Sequence, residues 1–369
     1  MTDGERIRQA RELRALTQTE LAARAGVNQS SIALMEAGVV HPAASTLEAI
    51  ALACRFPPSF FEQASPPQFP EGSLLFRAQH SVAARDRNRA RRYGQLVYEL
   101  AARMADRLEV PTPRIPRLSA AEDPERAAQL TRSSLGLSPD TPIGHLVNEL
   151  ERSGVVVLAL PVQLAKQDAF SLWTSHVDPT PVIALLGGAP GDRLRFSVAH
   201  ELGHLTMHHS ISGVRKVLEQ QANQFAAEFL VPSDAIAAEL VTPVTLEQLR
   251  SLKGRWGVAI QTLATRARDV GVITDNQRTT LFRQLSARGW RTREPGYLKA
   301  EKPRAIRKMA ELLYGPGRID TRRLAADLAW SSATVEEVLA AHADVADMVA
   351  TVDRGPATPG EVIRFPGGA

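Results

Sequence analysis

Four of the nine histidines fall within ten residues, in the stretch RFSVAHELGHLTMHH at 195–209. On a helix, residues four apart share a face, so His200 and His204 can both turn a ring nitrogen toward one cation. Glu201 follows the first of them, about 100° further round the helix, and can reach a water molecule from the side. A zinc ion held by such a pair lowers the pKa of the water it carries to about 7, and a neighbouring carboxylate can take the proton during attack on a carbonyl. The competing reading is a helix that is merely rich in histidine. Against it, Val198, Ala199, Leu202 and Leu205 give the segment apolar flanks for burial. Gly203 costs about 1 kcal/mol in a helix interior, so something is expected to approach the backbone closely there.

A catalytic zinc uses three protein ligands and keeps one position open. The segment GVRKVLEQQANQFAAEFLVP at 213–232 reads as a second helix, in which Glu219, Asn223 and Ala226 stand at helical spacing. Glu219 is the expected third ligand, with Glu228, near the helix end beside Pro232, as the alternative. His208 and His209, one turn past the pair, are expected to cap the helix end or to be solvated.

RFSVAHELGH followed by EQQANQFAAEFLVP resembles the ImmA/IrrE family of metallopeptidases, and the resemblance runs from about 124 to 295 through DAFSLW, PVIALL, LKGRW and GWRTREPG. It implies His200, His204 and Glu219 as zinc ligands, Glu201 as general base and Zn2+ as cofactor. It also implies a minimal zincin, a small antiparallel sheet packed on the two metal-bearing helices, with helix-turn-helix repressors as the substrate class. Many members carry an acid where this chain has Gln221, a position not expected to bind metal.

The N-terminal block does different chemistry. In LTQTELAARAGVNQSSIALMEAGVV, Thr17 can cap a helix starting at Gln18, Gly26 makes a tight turn, and Asn28 or Gln29 opens a second helix. That is helix-turn-helix geometry, with the polar start of the second helix facing base edges in the major groove. Gln29 and Ser30 suit base contact and Gln18 suits a phosphate. The expected DNA-binding set is Gln18, Asn28, Gln29, Ser30 and Ser31. The block resembles the Cro/repressor (XRE) type of helix-turn-helix domain. Leu13, Leu21, Ile32, Leu34 or Met35, Leu47, Ile50 and Leu52 offer it a core of its own.

These sites need a frame, and 369 residues with 44% hydrophobic content provide two or three packed domains. The expected fold class is α+β, mostly helical. A five-helix DNA-binding domain (1–64) is followed by a Pro- and Arg-rich linker with a helix (65–123). The minimal zincin-like domain spans 124–295, a helical C-terminal region spans 296–350, and 351–369 is a disordered tail. One cysteine, Cys54, excludes an intrachain disulfide framework. No apolar run reaches membrane-spanning length and no signal-peptide pattern opens the chain, so a cytoplasmic protein is expected. Net charge is +4, unevenly spread: 1–64 carries six Arg/Lys against seven Asp/Glu, and 250–308 carries fifteen against four. The helical pairs at 246–271 and 321–341 read as packing around a site, with a second DNA contact as the alternative. RDRNRARR at 85–92 reads either as phosphate contacts or as a solvated helix face. The expected function is a DNA-binding transcription regulator with a zinc-dependent endopeptidase. Its partners would be a double-stranded DNA operator and a repressor-type protein substrate, with a homodimer on DNA and no membrane. The alternatives are a non-enzymatic regulator whose zincin-like domain senses a ligand or partner, and an antitoxin-like protein.

Overall fold

The computed structural model describes residues 4–69, 83–164, 167–174, 179–209, 215–343 and 363–364. Among them, no helix is long and apolar enough to cross a membrane. The tail at 351–369 lies outside the described residues except for Ile363–Arg364, which pairs in parallel with Leu108–Glu109.

The N-terminal block holds α1 (Gly4–Leu13), α2 (Gln18–Ala25), α3 (Gln29–Glu36) and α4 (Ala44–Cys54). Local chemistry sets these boundaries. The Thr17 hydroxyl accepts from Glu20 N–H while the Glu20 carboxylate accepts from Thr17 N–H, a full capping box. Gly26 ends α2 at φ 68°, a left-handed conformation that glycine adopts without strain. The expected fifth helix is a short 3-10 segment, Pro58–Glu62, entered through Pro57 and Pro58, whose fixed φ suits a helix start. Of the apolar residues expected inside, Leu13, Leu21, Ile32, Met35 and Ile50 are buried. Leu52 is 82% exposed and Leu34 44%, because α4 and α3 turn those positions outward.

The linker stretch contains a long helix, α5 (Ala84–Ala105), whose residues 92–101 are all buried. A helix covered all round belongs in an interior. One continuous apolar cluster joins α1 to α4, α5, one face of the sheet and the C-terminal helices. The docking is also ionic. Arg6 makes a two-pronged pair with Glu99 at 2.8 and 3.0 Å, and Arg92 reaches Glu12 at 2.5 Å and Glu5 at 3.3 Å. Within RDRNRARR, Arg92 is therefore a packing residue, while Arg85 stays exposed.

The sheet has strands β1 (Val156–Leu160), β2 (Ala169–Trp173) and β3 (Pro181–Leu186) in the order β1–β3–β2. It is mixed rather than antiparallel: β3 runs antiparallel to β2 and parallel to β1. β3 is apolar throughout and so takes the central place, and β2 acts as the crossover that a parallel pair requires. Side chains alternate between two cores. Leu158, Leu160, Phe170, Leu172, Val182 and Ala184 face the α5 cluster. Val157, Ala169, Ile183 and Leu185 face the helices of the other half.

That half contains α6 (Pro124–Ser134), α7 (Leu146–Arg152), α8 (Gly191–Met207), α9 (Arg215–Leu230) and α10 (Ser233–Glu239). It continues through α11 (Leu246–Trp256), α12 (Ile260–Asp269) and α13 (Asp275–Ala287). The last helices, α14 (Ala305–Tyr314), α15 (Thr321–Leu328) and α16 (Ser332–Ala341), return to the α5 side. The α15–α16 pair is scaffold. The Thr334 hydroxyl accepts from Arg14 at 3.0 Å, and Tyr93 donates to the Glu337 carboxylate at 3.0 Å.

Candidate metal centre and nucleic-acid interface

The two helices of the candidate metal centre lie side by side. Gly203 explains their closeness: a Cβ there would stand 3.0 Å from the Phe225 ring of α9. Removing the side chain lets α8 settle on α9, which offsets the helix penalty of glycine.

His200, His204 and Glu219 each present a ligand atom, and these atoms lie within 4.8 Å of one another. The two Nε2 atoms are 3.0 Å apart, and Glu219 Oε2 is 3.4 Å from His200 Nε2. The far sides of both rings are engaged. His200 Nδ1 lies 3.0 Å from Asn223 Oδ1, an acceptor-only atom, so Nδ1 carries the proton and Nε2 keeps a lone pair. His204 Nδ1 lies 2.8 Å from His208 Nδ1, whose Nε2 is 3.1 Å from Gln221 Oε1, and Gln221 donates in turn to the Ala120 carbonyl at 2.8 Å. Gln221 Oε1 can only accept, so the proton of His208 sits on Nε2 and its Nδ1 accepts from His204. Two lone pairs and a carboxylate then converge, a donor set that fits a metal cation held by two nitrogens and one oxygen.

Glu201 is buried with its carboxylate accepting from the Ser171 hydroxyl at 2.6 Å. Burial pushes its carboxyl above the usual range, against the opposing pull of His200 and Ser171. Burial lowers His208.

Glu228, the alternative third ligand, is instead a buried structural acid paired with Arg266 and accepting from Ser233 and Gln129. His208 is the C-cap residue of α8 and is tied to His204 rather than solvated. Sequence reasoning missed Ser171 and the role of Gln221. A trace of Ser171 was visible: it is the one polar residue in AFSLW, on the same face as Ala169 and Trp173.

At the other end, Asn28 caps α3, with its side-chain oxygen accepting from Ser31 N–H at 2.8 Å and from the Ser30 and Ser31 hydroxyls. Gln29 donates to the Gln18 carbonyl oxygen at 2.7 Å, and the Gln18 amide donates to Glu36 at 2.9 Å. Glu36 is itself paired with Arg11 at 2.5 Å in the interior. Gln18, Asn28, Gln29, Ser30 and Ser31 thus form one cluster at the start of α3, where Asn28, Gln29 and Ser30 are exposed.

Comparison with known proteins agrees with this division. Residues 7–61 match the helix-turn-helix family model, and residues 150–268 match the model of the IrrE N-terminal-like domain, a peptidase family. No curated protein matches the chain closely enough to count as a relative.

Proposed function

Because the chain joins a helix-turn-helix domain to an IrrE N-terminal-like peptidase domain, we propose that it is a cytoplasmic transcription regulator that binds a double-stranded DNA operator and cuts a repressor-type protein with a zinc-dependent endopeptidase centre. The observation that carries this reading is the convergence of His200, His204 and Glu219 beside a buried Glu201.

Zinc, when held by those three side chains, supplies the positive charge that acidifies water and polarises a peptide carbonyl. The chain's own residues do the rest. Asn223 and the His208–Gln221 relay keep both Nδ1 atoms protonated, so each Nε2 faces inward with its lone pair. Ser171 holds Glu201 Oε2 and leaves Oε1 to take a proton from water and deliver it to the leaving amine. β2 is an edge strand of the sheet and carries Ser171, so an extended substrate segment added along it would lie beside Glu201.

On DNA, Gln29 and Ser30 read base edges, Gln18 contacts a phosphate, and Asn28 and Ser31 hold the start of α3 in shape. A homodimer would read half-sites about one helical turn apart. Gln29→Ala should lower discrimination between operators by about 1–3 kcal/mol.

A second reading is a regulator that senses a small ligand. A cavity of about 640 Å3 favours it, lying where Arg89 of α5, the ends of β1 and β3 at Leu160 and Leu186, and Glu337 of α16 meet. Its volume is in the range of small-molecule sites. The discriminating experiment pairs wild type with Glu201→Gln on an operator reporter, with candidate repressors as cleavage substrates. Normal repression with loss of both cleavage and induction supports the peptidase. Normal repression with normal induction supports the sensor.

A further inference from the structure

The helix-turn-helix block carries slightly more acid than base, six Arg/Lys against seven Asp/Glu over 1–64. Most of a protein's affinity for a duplex comes from phosphate neutralisation, so a DNA-binding chain with a neutral reading head needs positive charge elsewhere. A concentrated source lies on α13 and the turn after it. Residues 276–293 contain five arginines, Arg278, Arg283, Arg288, Arg291 and Arg293, and no Asp or Glu. Only Arg278 has an acidic partner there, Asp275 at 3.8 Å; the other four are exposed with no ion pair among the described residues.

These arginines stand on a braced platform. Arg278 and Arg291 lie over the Phe282 ring at 5.4 and 5.8 Å, and Arg288 lies over Trp290 at 5.1 Å. The turn that follows α13 is pinned at its far end by Glu294. Its carboxylate accepts from Ile260 N–H at 2.8 Å, from Gln261 N–H at 3.3 Å and from Lys253 Nζ at 2.9 Å. Arg278, Arg288 and Arg291 are therefore held against rings before any partner arrives, while Arg283 and Arg293 extend from the same face. Guanidinium groups suit phosphate oxygens bidentately.

We propose that the outer face of α13 and the 288–293 turn bind the phosphate backbone of DNA independently of sequence. This rests on the DNA-binding reading of the chain but concerns a different surface from α3.

The test uses the full chain and a random-sequence duplex, with affinity followed by fluorescence anisotropy across a salt series. Arg283, Arg288, Arg291 and Arg293 are replaced together by Ser in one variant and by Lys in a second. The expected result for the Ser variant is a log-affinity against log-salt slope shallower by roughly two to four, since each phosphate contact contributes about 0.9, and binding at least about tenfold weaker at low salt. The Lys variant should keep most of the slope. An unchanged slope in the Ser variant overturns the proposal, as does failure of the wild type to bind the random duplex. So does an unchanged slope accompanied by lost binding to a poly-glutamate peptide, which would make the partner an acidic protein. Gln29→Ala separates the two readings: it should change operator discrimination without changing the slope, whereas the Ser variant should do the reverse.

Discussion

The Ser171 hydroxyl stands 2.6 Å from Glu201 Oε2, and this bond joins the edge strand of the sheet to the helix that carries both histidines. It fixes the rotamer of the carboxylate that our account uses for proton transfer. Ser171→Ala should keep zinc content unchanged and lower the cleavage rate by about tenfold or more, the usual range for a lost positioning bond to a charged group. Ser171→Thr should restore part of it. A Ser171→Ala protein that cleaves at the wild-type rate would show that Glu201 needs no such support.

Gln221 touches no candidate ligand directly, yet it holds His208, and His208 holds His204. Loss of such an outer partner typically costs about 10–100-fold in metal affinity. Gln221→Ala should therefore weaken zinc binding in a chelator competition by about tenfold, with secondary structure intact. Gln221→Glu, which still accepts from His208, should keep it. Equal affinity in Gln221→Ala and wild type would remove the relay from the account.

The Arg6–Glu99 pair is nearly solvent-free and bridges α1 to α5. Breaking a buried pair by removing one partner costs about 3–5 kcal/mol. Arg103 also reaches Glu99 at 2.6 Å, so the lower end is expected for Arg6→Ala. Because one apolar cluster runs from α1 to the sheet, near- and far-ultraviolet probes should report one coincident urea transition for wild type. An N-terminal block that melts separately would contradict the shared core.

His342 is fully buried between the Val338 carbonyl and the Ala159 N–H, and burial pushes its pKa down to about 4 from an ordinary 6.5. The folded state thus binds this proton more weakly than the unfolded state. Its contribution is fully present above pH 6.5 and is lost as pH falls toward 4, at up to about 1.4 kcal/mol per pH unit. Glu151 opposes it. Burial lifts that carboxyl to about 7, so its contribution is lost as pH rises from 4.5 to 7. The total pH dependence therefore hides both, and a variant isolates one. The unfolding free-energy difference between wild type and His342→Gln should shrink as pH falls from 6.5 to 4. A constant difference would mean that the ring is already protonated in the folded protein.

What was legible in the sequence was local. The Thr17 capping box, the left-handed Gly26 and the Asn28 cap act within three or four residues, so the helix-turn-helix could be placed from types and spacing. His200, Glu201 and His204 could be placed together from helical periodicity; for Glu219 that periodicity left Glu228 as an alternative, and the resemblance pointed to Glu219, whose carboxylate lies within 4.8 Å of both histidines. The contacts that escaped are distant in sequence. Ser171 and Glu201 are 30 residues apart, and Tyr93 and Glu337 are 244 apart. The burial of α5 was hidden by its arginine-rich start, since Arg92 is charged on paper and paired in the interior. The mixed sheet was hidden for a related reason: strand direction depends on which neighbour the central β3 takes, and pairing partners leave no mark on any single strand.

The central claim is that His200, His204 and Glu219 hold zinc for use by Glu201, and metal analysis of purified variants tests it most directly. The account predicts one zinc per chain in wild type and in Glu201→Gln, and strongly reduced zinc in Glu219→Ala, His200→Ala and His204→Ala. Full zinc occupancy in Glu219→Ala, or none in folded wild type supplied with zinc, would contradict it.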